Sequence, residues 1–429
     1  MKTTIKTLAL TYLLLGTGAA CSVELHSSDR GNLNFNLELT AAPLFSSFDY
    51  ASGQPSNVTW LESYIRTGLS GAAPVWHGDL YGGIGIMTSK VLGEGDAAGT
   101  SKGNERRTSF DSAFLGWRNA TLDLSAGRQG YTIGDGFLIA GDQLNYGERS
   151  GHGFNRGGLY YLAAPSTFAQ SAIIRLRPSG VFLLEGFHVE SDNHGQGSPH
   201  LSGLNVEFGA APDNSLGLTY FTVDNVDTHR AEGLFQMRKA LQVRHARAQS
   251  NLGIPGLALE VGYADERSSR VDSRAWYSGI SYGLNDYPLQ PVFGYRYSWF
   301  SGDNPGTHKS EAFDPLFYGS LVGDPGWVQG EIAGAFAGPF NSNAKVHRLS
   351  ARVTLNERMA ISAKGFRFDS ERDAVHLADE LDLYFETFPG RNFALIPVIG
   401  LWKPRQGAEA QYGQRGVQTF FTVIGSLTF

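Results

Sequence analysis

The segment at the end of the chain most strongly constrains the fold. In "GVQTFFTVIGSLTF" (416–429) every second residue, counted back from Phe429 to Phe421, is apolar or small, and most residues between them are polar. This period-two alternation is typical of a β-strand with two different faces. Terminal residues usually form a frayed polar tail. A strand that runs to a final aromatic residue therefore predicts a paired strand that closes a barrel against "GNLNFNLELT" (31–40).

The same alternation recurs along the whole chain, for example in "VHRLSARVTL", "ELDLYFE" and "VFGYRYSWF". It predicts eighteen strands, near 31–40, 59–70, 78–88, 108–117, 121–129, 168–177, 181–190, 201–210, 215–224, 236–249, 257–267, 274–284, 291–301, 344–355, 359–369, 379–388, 393–402 and 417–429. Tight turns and longer polar connections alternate between them, which is the layout of an outer-membrane barrel. We therefore predict an all-β transmembrane antiparallel β-barrel of eighteen strands, with sixteen as the alternative. A soluble sandwich or propeller would explain the strands, but not the two classes of connection.

The start of the chain indicates export. Lys2 and Lys6 precede a short apolar run and the small-residue stretch "GTGAAC", which together predict a signal peptide over 1–20 and a barrel domain over 21–429. Cys21 leaves lipidation as an alternative to an ordinary cleavage site. No window offers eighteen consecutive apolar residues, which argues against a helical membrane protein. The expected location is the bacterial outer membrane.

Two connections are much longer than the others, 130–167 and 302–343, and both are rich in aromatic and aliphatic residues. Loops of this length are usually functional. In wide barrels such segments fold inward and narrow the lumen. We expect both loops to fold toward the lumen, with strand extensions above the membrane as the alternative.

Arginine dominates the basic residues, with 26 Arg against 9 Lys. A charge on the lipid face would cost about 2–4 kcal/mol near the midplane, so arginines on polar strand faces are expected in the lumen, where basic rings select anions. The candidates are Arg66, Arg175, Arg177, Arg244, Arg296, Arg348 and Arg352. The chain is nevertheless acidic, with a formal charge of −6. Structural ion pairs, or rim contacts with lipopolysaccharide, are therefore the alternatives for each arginine.

Signals for catalysis are poor. There is no GxSxG, HExxH or P-loop motif, and the single cysteine excludes a thiolate metal cluster within the chain. We predict no enzymatic activity and no cofactor. Asp303 and Asp314 are weak candidates for a calcium site, but their spacing is not that of a calcium loop, and an Asx-type turn is the favoured interpretation.

Several long strings carry a family resemblance. "LSAGRQGYTIGDGFLIAGD" (124–142), "YRYSWFSGDNPGTHKSEAFDPLFYG" (295–319), "VQGEIAGAFAGPFNSN" (328–343) and "DELDLYFE" (379–386) resemble the alginate-export family of outer-membrane proteins. The resemblance implies an eighteen-stranded barrel whose arginine-lined lumen passes a polyanionic polysaccharide by passive diffusion. Arg128 and Gln129 match the family's "GRQ", which implies a lumen position. Asp135, Asp142 and Asp314 match as residues that shape the constriction loops.

The sequence thus predicts a passive outer-membrane channel for an anionic polysaccharide or oligosaccharide. The chain is shorter than expected for a dedicated alginate exporter, and its "GDGFLIAGD" loop is typical of a divergent branch. A general or specific uptake porin for small organic anions or sugars is therefore the first alternative, and a plugged structural or adhesive barrel is the second. Expected partners are outer-membrane lipid and lipopolysaccharide, the barrel assembly machinery through Phe429, and the anionic saccharide, with no nucleic acid. A monomer is expected.

Overall fold

The computed structural model describes residues 22–151, 154–209, 214–319, 329–338 and 341–429. The predicted signal peptide over 1–20 and the question of Cys21 lipidation lie outside these residues.

Twenty antiparallel strands form one sheet. They are Val23–Ser28 (β1), Gly31–Ser46 (β2), Val58–Val75 (β3), Gly78–Gly93 (β4), Arg106–Arg118 (β5), Leu122–Gly130 (β6), Thr167–Phe168 (β7), Gln170–Ser179 (β8), Phe182–Glu190 (β9), His200–Phe208 (β10), Asn214–Asn225 (β11), Gln242–Ser250 (β12), Leu257–Arg267 (β13), Asp272–Gly283 (β14), Val292–Phe300 (β15), Ala344–Asn356 (β16), Met359–Ser370 (β17), His376–Thr387 (β18), Phe393–Pro404 (β19) and Gln418–Thr428 (β20). β1 pairs only with the start of β2, and β7 is a two-residue strand at the end of β6. The other eighteen strands close the barrel, which confirms the predicted fold and excludes the sixteen-strand alternative.

The barrel closes where β2 pairs with β20 on one side and with β3 on the other. At the end of this seam Leu37 and Phe429 exchange two backbone hydrogen bonds, of 2.7 and 2.8 Å. The prediction that the last strand pairs with the first is therefore confirmed. An alternating strand can close a barrel in this way because all of its polar backbone groups then find partners on its two neighbours.

Side chains alternate between the two faces of the wall, as the sequence pattern requires. On β16, Leu349 is 64% exposed on the outer face, whereas its neighbours Arg348 and Ser350 are partly buried on the inner face. An outward apolar band and a polar interior are what a barrel in a bilayer needs, because lipid surrounds it and water enters it.

Connections differ at the two ends of the barrel. Short turns join β1–β2, β3–β4, β5–β6, β8–β9, β10–β11, β12–β13, β14–β15, β16–β17 and β18–β19 at one end, and the remaining connections, which include both long loops, lie at the other end. Short helical turns cover Glu148–Ser150, His194–Gln196, Gly233–Arg238 and Ala333–Ala337, and one α-helix, α1, covers Gln406–Tyr412. Within the described ranges none of these helices has the length and apolarity to cross a membrane.

One strand differs from its predicted bounds because of such a helical turn. The sequence predicts a strand over 236–249, but β12 begins only at Gln242, since Gly233–Arg238 forms a helical turn first. The side chain of Arg238 is 1% exposed and forms a double hydrogen bond with Asp314. This contact with the second long loop has no signature in the local sequence.

Candidate permeation pathway

The first long loop crosses the interior of the barrel. The ring of Tyr131 packs on Phe187 of β9 with centroids 4.9 Å apart, and that of Phe137 packs on Tyr277 of β14 at 4.8 Å. β9 and β14 are separated by four strands, so a segment that touches both must span the lumen. The loop folds inward, as predicted.

A buried carboxylate on the barrel wall holds the far end of this loop. Glu62 of β3 is fully buried, and its two oxygens accept the backbone N–H groups of Tyr161, at 3.1 Å, and Leu162, at 2.9 Å. The indole N–H of Trp60 donates to the same carboxylate at 3.1 Å. Because buried N–H groups need acceptors, Glu62 anchors the loop against β3.

The described part of the second long loop is held in a similar way from β18. Asp382 accepts the backbone N–H of Glu331 at 3.0 Å. Glu380 accepts the backbone N–H groups of Ile332, at 2.6 Å, and Ala333, at 2.9 Å. The carboxylate of Glu331 in turn accepts the hydroxyl of Tyr161 in the first loop at 2.5 Å. The two loops are therefore joined to each other as well as to the wall, and together they constrict the lumen.

Beside these loops, four cations line the inner faces of β15, β16 and β17. This basic strip consists of Arg296, Arg348, Arg352 and Lys364. Arg296 lies directly opposite Arg348 in the register of β15 and β16. Lys364 lies two residues closer than Arg348 to the short-turn end of the barrel, and Arg352 lies a further two residues in the same direction. Steps of two residues along a strand are about 6.7 Å, so the strip is about 13 Å long. Within these three fully described strands no carboxylate faces inward.

Two members of the strip are buried, Arg296 with 4% exposure and Lys364 with 3%. Arg296 makes the contacts that link the strip to the first loop. Its Nη1 donates to Glu260 at 2.9 Å, and its guanidinium lies 3.8 Å from the ring centre of Tyr277. The Tyr277 hydroxyl donates to Asp135 of the first loop at 2.6 Å. Nε and Nη2 of Arg296 have no hydrogen-bond partner among the described residues. Buried donors normally find acceptors, so within the part of the chain that the structure describes these two N–H groups are unsatisfied donors beside the first loop.

Other predicted lumen arginines are neutralised within the wall. Arg66 forms ion pairs with Glu38 and, at 2.7 Å, with Asp111. Arg175 forms one with Glu185 at 2.5 Å. For Arg66 and Arg175 the structure therefore agrees with the alternative given above, a structural ion pair. Arg352 is paired less closely than these two arginines, because its contacts with Glu386 are longer, at 3.4 Å.

Arg128 and Gln129 lie where the first loop leaves β6. Arg128 Nη2 contacts Asp192 at 2.9 Å, and the other oxygen of Asp192 contacts Arg156 at 3.0 Å. Gln129 donates to the inward Ser171 at 2.8 Å. Burial opposes the ionisation of Asp192, but Arg156 and Arg128 outweigh it and lower the pKa of this carboxyl. Arg128, Arg156 and Asp192 thus form a charged junction between the end of β6, the first long loop and the connection between β9 and β10.

The aspartates expected to shape the loops are all engaged in contacts. Asp142 is fully buried, lies 3.1 Å from Arg156 Nη1 and accepts the hydroxyl of Ser191 at 2.7 Å. Asp314 accepts both hydrogen bonds from Arg238, at 2.8 and 2.7 Å. Each aspartate therefore connects a long loop to a neighbouring connection.

The weak calcium prediction is wrong for Asp314, because a guanidinium occupies both of its oxygens and would repel a cation. Asp303 accepts the backbone N–H of Glu311, eight residues further along the chain, at 3.0 Å. The Asx-type turn of this segment is formed by the next residue, Asn304, whose Oδ1 accepts the backbone N–H of Gly306 at 3.1 Å.

Two predicted lumen arginines lie elsewhere. Arg244 is on the outer face, with its side chain 56% exposed and 3.7 Å from Asp265. On β12 both faces carry an arginine, so the local pattern did not define the phase. The inward residue is Arg247, which the sequence analysis missed and which is paired with Glu207. Arg177 is exposed at the short-turn end of β8 and forms no ion pair within the described residues.

Comparisons with known proteins agree with this architecture. No family model matches the chain, and no curated protein matches it. Among solved structures, Pseudomonas aeruginosa OccK5 (OpdH) has 11% identity and a TM-score of 0.57, Acinetobacter baumannii OccAB4 has 10% and 0.60, and P. aeruginosa OpdK with vanillate has 11% and 0.57. Each alignment covers 92% of this chain and 98% of the other.

The chain has the fold of an outer-membrane porin. At these identities the similarity concerns the fold alone. It is the fold of proteins of the bacterial outer membrane, in agreement with the predicted location. The finer resemblance to the alginate-export family receives no support from the comparisons.

Proposed function

We propose that this chain is a passive outer-membrane channel for small organic anions, with carboxylates as the principal class. The observation that carries the proposal is the basic strip, because four cations face the lumen on three adjacent strands that present no inward carboxylate. Successive weak sites let an anion exchange part of its hydration shell for guanidinium and ammonium contacts and still leave.

The first rung of the strip suits a planar carboxylate. Arg296 presents two N–H groups without a partner among the described residues, and its guanidinium stacks on Tyr277. A guanidinium fork matches the two oxygens of a carboxylate. One of the similar structures, OpdK, contains vanillate, a small aromatic carboxylate. This supports the same chemical class here.

An anionic polysaccharide, the substrate implied by the sequence resemblance, is the second hypothesis. A polymer would also use successive cations, but it requires a continuous bore past the constriction. Loop residues such as Phe137, Tyr160, Tyr161 and Phe336 pack as a buried cluster inside the barrel. We therefore place small anions first. The plugged structural barrel remains the hypothesis of a different class and predicts no conductance.

The deciding experiment is a reversal-potential measurement in planar bilayers across a potassium chloride gradient. Wild type should prefer anions. Neutralising Arg348 or Arg352 with glutamine should reduce the anion-to-cation permeability ratio about sevenfold. A unit charge about 7 Å away stabilises an anion and destabilises a cation by about 0.6 kcal/mol each in a water-like medium, so the ratio changes by about 1.2 kcal/mol. The matched control is Arg244→Gln, because this outward arginine loses the same charge and should leave the ratio unchanged.

Added solutes separate the first two hypotheses. Benzoate should carry current or block the channel in a way that Arg296→Gln weakens, whereas oligouronate should have little effect. Blockade by oligouronate at lower concentrations than benzoate would favour the polysaccharide. A cation-selective wild type, or an equal change in the Arg244 control, would refute the role of the strip.

A further inference from the structure

A cluster of metal-ligating side chains lies on the outer wall, away from the permeation pathway. His188 and Glu190 end β9, and His200 begins β10 after the connecting loop. Glu190 and His200 are directly opposite each other in the register of the two strands. In the described part of the chain, this is the one group of three or more His, Cys, Asp or Glu side chains that could hold a metal ion.

Alternation along the two strands places the cluster outside the barrel. Phe187 and Val189 are buried on the inner face of β9, and Leu201 is buried on that of β10. His188, Glu190 and His200 are in the opposite phase and therefore point outward. They lie on the same face as Leu204, which is 56% exposed. Since this end of β9 and β10 carries the long connections, the cluster lies at the outer rim of the membrane-facing wall.

The spacing of the ligand atoms suits a tetrahedral ion. His188 Nε2 lies 3.1 Å from Glu190 Oε1, and His200 Nδ1 lies 3.5 Å from the same oxygen. Zinc–ligand bonds of about 2.1 Å at a tetrahedral angle separate neighbouring ligands by about 3.4 Å. The ligand atoms all lie within 4.8 Å of one another. The two imidazoles therefore need to approach by at most about 1.4 Å to complete three corners of a tetrahedron.

A second layer of hydrogen bonds orients the first histidine. Nδ1 of His188 lies 2.8 Å from the hydroxyl of Ser202, and that hydroxyl donates to a carboxylate oxygen of Asp224 on β11. This leaves Nε2 directed at Glu190. Metal-binding histidines typically use their second nitrogen in this way, which sets the tautomer and the ring orientation.

We propose that His188, Glu190 and His200 bind a divalent first-row transition-metal ion, with Zn²⁺ the best match. Two imidazoles and one carboxylate are a zinc ligand set with an open fourth position. Imidazole nitrogen favours zinc, copper and nickel over magnesium and calcium, which prefer oxygen. The open position faces outward, where water or a phosphate oxygen can complete the coordination.

Zn²⁺ binding to the tag-free, full-length protein in detergent, after chelator treatment, tests the proposal. Isothermal titration calorimetry should give one Zn²⁺ per chain, with no comparable binding of Mg²⁺. His188→Gln and His200→Gln should each weaken binding at least tenfold, and Ser202→Ala about tenfold through the outer hydrogen bond. Binding should also weaken from pH 7.5 to pH 5, because ligating histidines must be unprotonated.

The matched control is His347→Gln, which removes another outward histidine, hydrogen-bonded to Tyr295 on the wall of β15 and β16. It should bind Zn²⁺ like wild type. Folding of every variant is checked by heat-modifiable migration on gels. No saturable Zn²⁺ binding by folded wild type, or equal weakening in the His347 control, would overturn the site. Neither result would affect the channel proposal, which is tested by ion selectivity.

Discussion

Replacing Glu62 with alanine tests whether a wall carboxylate holds the first long loop in the lumen. Glu62 accepts two backbone N–H groups of this loop, those of Tyr161 and Leu162. In the variant both donors lose their acceptor. The strands on either side keep their own hydrogen bonds, so the change acts on the loop and leaves the barrel ladder intact.

The expected magnitude follows from the two lost contacts. A buried N–H group left without its acceptor costs about 1–3 kcal/mol, so two cost about 2–6 kcal/mol in the attachment of the loop. Each 1.4 kcal/mol changes an equilibrium tenfold. The ratio of detached to attached loop should therefore rise by about 30-fold to 10⁴-fold. Glu62→Gln keeps one acceptor oxygen and should have a smaller effect.

Single-channel recording provides the assay. E62A should show new high-conductance events and more current noise than wild type, with E62Q between the two. The control is Glu148→Ala in the same loop, since the Glu148 side chain is 46% exposed and its ion pair within the described residues is a surface contact with Lys102. If folded E62A has the conductance and noise of wild type, the carboxylate does not anchor the loop, and packing alone holds it.

Two further predictions concern ion pairs between loops. Arg238→Met leaves the carboxylate of Asp314 without its buried partner and should destabilise the loop assembly by about 3–5 kcal/mol, seen as faster proteolysis of the loops; unchanged proteolysis would contradict it. Burial opposes ionisation of Asp192, but Arg156 and Arg128 lower its pKa, so its contribution is complete above the ordinary value of about 3.9 and is lost as pH falls through the lowered value. Between pH 7 and 4 Asp192 should stay ionised, so the difference in channel current between wild type and Asp192→Asn should not change with pH, and only below that range should the two currents converge. Identical currents for the two proteins throughout would contradict the role of this junction.

The exposed Arg230 serves as the control for both pairs. Its side chain is 59% exposed and contacts only the neighbouring Asp227 at 3.4 Å among ion-pair partners in the described ranges. Arg230→Met should leave both loop proteolysis and the acid dependence of the current as in wild type.

Much of the barrel could be predicted from the sequence because its information is local. Alternation of period two indicates each strand, and the length and chemistry of the connections indicate to which end they belong. The predicted bounds of the strand over 257–267 agree with Leu257–Arg267 to the residue. The predicted start of the strand over 236–249 was wrong, because the helical turn found there contains Arg238, whose partner Asp314 is distant in the sequence.

Whether an arginine points into the lumen or outward was less predictable on strands that carry charged residues on both faces. On β16 the apolar phase is unambiguous, and Arg348 and Arg352 lie inside as expected. On β12, Arg244 and Arg247 are three residues apart and occupy opposite faces. The phase there is decided by the packing of the inner wall and by the partner Glu207.

The sequence by itself thus determined the class of fold, the number of strands and the inward course of the loops, since each of these follows from local periodicity and composition. Only the tertiary structure decided which charges pair with one another, which cations line the lumen together as a strip, and that His200 meets Glu190 across two strands. These are contacts between distant residues. They depend on strand register and on the path of two loops through the barrel, and no short stretch of the chain encodes either.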